Sequence, residues 1–143
     1  MTLPLGWTDG SRDLTREPGA KEENGEFTMP TIAFAMPIIP GKEPVDRANI
    51  ERVAAPGPAH DEHAASRRSQ GVKREIVFHQ ETPNGTLAVV VIEADDVETA
   101  MGAISTSDDP KAKAFREEVK EVHGVDMATE PPPKVELIAD IRF

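Results

Sequence analysis

Four histidines and one basic cluster hold most of the chemistry that this 143-residue chain could perform. His79 lies in the run KREIVFHQ (residues 73–80), where Ile76 and Phe78 alternate with Val77 and His79. Pointing inward from a strand, its imidazole could act as a general base near neutral pH or as a ligand; beside a turn it could equally be solvated. His60 and His63 stand three apart with Asp61 and Glu62 between them. On one helix face they could offer two imidazoles to a divalent metal, although surface helices carry such pairs without any ligand. His123 falls at a predicted helix end, where an imidazolium meets the C-terminal dipole. Arg67, Arg68, Lys73 and Arg74 form the one basic cluster of an acidic chain. The guanidinium forks of Arg67, Arg68 and Arg74 could grip a carboxylate or phosphate. The plain alternative is a set of cations closing a helix C-terminus. The catalytic role is therefore assigned to His79 and the ligand-binding role to Arg67, Arg68 and Arg74, with no metal set.

Several chemistries are excluded outright. With no cysteine there is no disulfide, thiolate nucleophile or Cys-ligated metal. No Gly-rich phosphate loop, dinucleotide fingerprint or supportable Ser–His–Asp spacing is present, and no cofactor is expected. A net charge of −10 argues against nucleic acid or an anionic membrane as partner. The N-terminus lacks a basic-then-apolar leader and no apolar run reaches the length of a membrane span, so the reading is cytoplasmic.

These side chains need a scaffold, and the punctuation of the chain supplies one. Residues 1–28 mix glycine, proline and charge without apolar period and read as a disordered tail, carrying the one tryptophan, Trp7. Residues 29–143 read as one domain. Within it, residues 31–39 (TIAFAMPII) form an apolar strand closed by Pro40-Gly41. Pro56-Gly57-Pro58 splits the next segment into helices over residues 44–55 and 59–70, the second ending on Gly71. Strands at residues 73–80 and 86–93 flank a turn built on Asn84-Gly85. Asp95 with Glu98 predicts a capping box for a helix buried through Val97, Ala100, Met101 and Ile104. Asp109-Pro110 opens another helix, buried through Phe115, Val119 and Val122 and closed by Gly124. After Pro131-Pro132-Pro133, residues 134–142 alternate as a last strand.

That order is βαββαβ, the α+β ferredoxin-like arrangement with a four-stranded antiparallel sheet. Residues 32–39 and 87–92 carry no charge and belong in the centre, while the other two strands carry charge and belong at the edges. Helices cover one face of such a sheet, yet the central strands are apolar on both. A homodimer with facing sheets is the expected cover. The segments TIAFAMPIIPGKE, SRRSQGVKREIVFHQETPNGTLAVVVIEADD and STSDDPKAKAFREEVKEVHGVD resemble a bacterial family of unknown function in the dimeric α+β barrel superfamily. The resemblance implies a dimeric barrel and carries over no functional residue. The expectation is a homodimeric barrel binding a small organic, perhaps anionic, ligand near His79 and the Arg67/Arg68 helix end, with cofactor-free catalysis as one option. The alternative is a non-catalytic regulatory or interaction module whose dimer is the functional unit.

Overall fold

The computed structural model describes residues 21–23, 26–28 and 30–143. Of the segment read as a tail, Lys21–Glu23 (β1) and Glu26–Thr28 (β2) pair as an antiparallel hairpin. The rest of it, Trp7 included, lies outside the described residues. The domain then runs Thr31–Pro37 (β3), Glu43–Ala54 (α1), Pro58–Ser69 (α2), Val72–Thr82 (β4), Gly85–Ala94 (β5), Val97–Thr106 (α3) and Pro110–His123 (α4).

Local chemistry explains the boundaries. Ala55 is extended because the ring of Pro56 disfavours helical backbone before it, and Pro58 restarts the chain as the first residue of α2. The β4–β5 hairpin closes on Thr82, whose hydroxyl donates to the Gly85 carbonyl and accepts from the Asn84 N–H. Asp109 caps α4 by accepting from the Ala112 N–H, and Gly124 ends it with φ 73°. A side chain would be strained in that left-handed conformation. The cap of α3 is Asp96, one residue later than the expected Asp95. Its Oδ2 accepts both the N–H and the hydroxyl of Thr99, at 3.3 and 2.6 Å, so Thr99 takes the position expected of Glu98.

The main sheet has the order β3-β5-β4, antiparallel throughout. Register places Ile32, Phe34 and Met36 opposite Ile92, Val90 and Ala88, which in turn oppose Glu75, Val77 and His79. This face meets the helices. Val72, Ile92 and Ala94 pack with Val97, Ala100, Met101 and Ile104 of α3, and Ile38 and Ala88 pack with Val122 of α4. The opposite face carries Ala33, Ala35, Leu87, Val89, Val91, Ile76 and Phe78.

The expected four-stranded ferredoxin-like barrel is not what forms. Three strands make an open, uncurled sheet with four helices. Residues 134–142, the expected fourth strand, are exposed and pair with no strand among the described residues. Among the described residues β5 alone is therefore central, and β3 is an edge. The physical reason lies in what alternation encodes: it decides which residues share a face, not which edge they reach. Pro131, Pro132 and Pro133 fix an extended backbone and remove three donors, so the approach to this segment cannot itself join the sheet as a strand.

Candidate functional site

Helix α2 has a polar inner face, because Ser66 and Arg67 are its buried residues, continued by buried Gln70 at its C-cap, and its alanines are not buried. Ser66 donates to Asp109 Oδ2 at 2.9 Å, tying α2 to the start of α4. Arg67 lies over the Phe115 ring, 4.3 Å from its centroid, and donates from Nη1 to Gln70 Oε1 at 3.1 Å. Its Nε sits 3.1 Å from Glu75 Oε2, an ion pair whose N–H is not aligned for a hydrogen bond. The other carboxylate oxygen of Glu75 accepts from His63 Nε2 at 2.7 Å. Burial pushes the Glu75 carboxyl up. The His63 hydrogen bond and the Arg67 charge outweigh it, and the group is held below its ordinary value.

A second pair lies four residues further along β4, two repeats of the pleat away. His79 Nε2 donates to Asp46 Oδ2 at 2.7 Å, and both side chains are largely buried. Glu75, Val77 and His79 share the helix-facing side of β4, so alternation alone positions both partners of the helices. Between the sheet and the helices runs a cleft of about 930 Å3, lined by Phe34, Val90, Val53, Phe115, Arg67 and Glu75 among others. Asp46 borders it.

The structure separates most of the residues singled out by type. Arg67 is buried and engaged by Glu75, while Arg68 is exposed on the next position. Arg74 pairs across the sheet with Glu93 at 3.7 Å, and Lys73 with Asp95 at 3.3 Å. His60 donates from Nδ1 to the Val53 carbonyl at 2.8 Å, whereas His63 turns to Glu75, so the two imidazoles face different partners. No group of three or more metal-ligating side chains occurs among the described residues. His123 donates from Nδ1 to the Pro37 carbonyl at 2.9 Å, pinning the end of α4 to the end of β3. Sequence reasoning missed Glu75 and Asp46 altogether. Their partners lie 12 and 33 residues away, beyond any local periodicity; the only available signal was the shared parity of residues 75 and 79 on one strand.

No known family, curated protein or solved structure matches the chain. The resemblance to the dimeric α+β barrels therefore falls, since neither a family match nor a closed sheet supports it. The barrel-based functional expectation falls with it. What stands is a small α+β domain with an open three-stranded sheet. No helix among the described residues is long and apolar enough to cross a membrane.

Proposed function

We propose that this chain is a protein-interaction module that associates with a second copy of itself through its open sheet. One observation carries the reading: the sheet face turned away from the helices is apolar, with Phe78, midway along the edge strand β4, 56% exposed. An uncovered apolar patch of this kind marks an interaction surface more often than an inert one. No barrel closure is required, because an open sheet can dock without curling. The cytoplasm is the compartment we assign to it, as a chain without cysteine makes no use of an oxidising one.

The test is the solution mass of the chain beside that of Phe78→Lys. Phe78 lies on an edge strand and is already half in solvent, so lysine is tolerated there and is itself a common device against edge association. Burying the exposed part of Phe78 is worth on the order of 1 kcal/mol in each copy, so the substitution weakens association at least tenfold. Association unaffected by Phe78→Lys would remove this face from the account.

A second reading is favoured by the cleft. Arg67, Arg68 and Arg74 are among its lining residues, and a small organic anion there would use them; His79 is not among those residues and would act on the ligand only from behind Asp46, to which it is hydrogen-bonded. The probe is the anionic dye 1-anilinonaphthalene-8-sulfonate. In this reading Val53→Arg, which fills the cleft, abolishes dye fluorescence while Phe78→Lys leaves it unchanged. The reverse pattern places the dye on the open face and sinks the reading.

A further inference from the structure

The four helices are held to the domain in two different ways. Helix α3 buries Val97, Ala100, Met101 and Ile104, and α4 buries Ala112, Val119 and Val122, so apolar packing anchors both. The buried residue of α1 is Asp46, and those of α2 are Ser66 and Arg67. Val45, itself partly buried, is what these two helices contribute to the core clusters among the described residues. A surface helix normally docks through an apolar stripe. Here the docked stripe is polar.

Charge pairs around the rim of the cleft take the place of that packing. On the β4 side, Glu75 engages both His63 and Arg67, and His79 engages Asp46. On the α4 side, Arg52 meets Glu118 at 2.9 Å and Lys111 meets Glu62 at 2.6 Å. Lys42, the N-cap of α1, meets Glu121 at 3.3 Å. Between these rims the cleft is lined by Ile50 and Val53 of α1 and by Phe34, Val77 and Val90 of the sheet, all partly buried. The two helices also hold each other, since His60 of α2 donates to the Val53 carbonyl of α1. The chain enters the pair after Gly41 and leaves it at Gly71, with φ 91° and 84°. Small residues at the ends of elements are where hinges absorb a change of backbone angle.

We propose that residues 43–69 form a flap, latched over the inner face of the sheet by these pairs and able to detach while β3, β4, β5, α3 and α4 stay folded. Every buried residue of the two core clusters belongs to that remainder, so lifting the flap leaves them intact. Each helix of the flap is 12 residues long, a length that is marginal in water without tertiary support. A lifted flap therefore frays, and its amides open before the rest of the domain unfolds. The exposed rim pairs hold weakly. Glu75, mostly buried and engaging two side chains of α2, is the main latch. The flap stands apart from the self-association reading, which concerns the opposite face of the sheet, and it governs access to the cleft.

Native-state hydrogen exchange at neutral pH, read by mass spectrometry, separates a flap from a single cooperative domain. Ile104→Val weakens the core that stays folded when the flap lifts. It should accelerate exchange in α3 and β5 by roughly threefold to tenfold and leave residues 43–69 unchanged. Glu75→Gln breaks the main latch and should accelerate residues 43–69 roughly tenfold or more. Arg52→Gln loses the exposed tie to Glu118 and keeps the test open should the buried variant not fold. It should accelerate the same residues roughly twofold. Two outcomes overturn the inference. If Ile104→Val accelerates residues 43–69 as much as β5, the two helices open only when the whole domain does. If exchange in residues 43–69 is unmoved by both latch variants, the ion pairs do not hold the flap.

Discussion

Glu75 is a carboxylate set between a buried guanidinium and an imidazole, and its removal should be felt well beyond its own contacts. Glu75→Gln keeps the shape but leaves Arg67, buried and stacked on Phe115, without its counter-charge. Breaking a buried pair from one side costs about 3 kcal/mol, because the remaining charge stays desolvated. Chemical denaturation should show that loss at neutral pH. The pH dependence follows from the direction of the shift. The folded carboxyl titrates below its ordinary 4.5, so its contribution is complete above that value and disappears as pH falls through the lowered one. Parent and Glu75→Gln should therefore converge in stability on acidification below 4.5, and a constant gap down to the lowest pH would contradict the pairing. Asp46–His79, by contrast, joins α1 to β4 as a single hydrogen-bonded link at 2.7 Å.

At the scale of elements, Asp109 is the point where two helices depend on one side chain. Its Oδ2 accepts the Ala112 N–H of α4 and the Ser66 hydroxyl of α2. Asp109→Ala removes a cap and leaves Ser66 without this bond, at a cost of about 1–2 kcal/mol. Thermal unfolding measures it, and an unchanged midpoint would show that α2 does not rely on the link. Elements of this kind were legible in the sequence because caps, prolines and glycines act locally. Pro110 and Gly124 bound α4 as expected, and the Pro56-Gly57-Pro58 break separates α1 from α2. The fourth strand was not legible in the same way. Residues 134–143 alternate as a strand does, but pairing is a long-range property and nothing local in KVELIADIRF names its partner. The site was harder still. Arg67 drew attention as a cation in a run of cations, whereas its neighbours in space are Glu75, Gln70 and Phe115, the last of them on another helix.

For the whole molecule, the absence of a fourth strand from the main sheet among the described residues converts one question into another. A closed four-stranded sheet would have hidden β3 and used up the last segment. The open sheet instead presents an apolar face, an uncharged edge and an exposed alternating arm on one chain. Each is tolerable singly. Together they are the features on which the proposed self-association draws, on a chain whose net charge of −10 opposes non-specific collapse. The proposed self-association through the open sheet also predicts a shallow salt dependence, since the contacts it invokes are apolar. Light scattering on the eluting protein at neutral pH tests the central claim most directly. The account predicts a mass of twice the 15.5 kDa chain, falling toward 15.5 kDa for Phe78→Lys at the same concentration. A parent chain that elutes at 15.5 kDa across the accessible concentration range would contradict it.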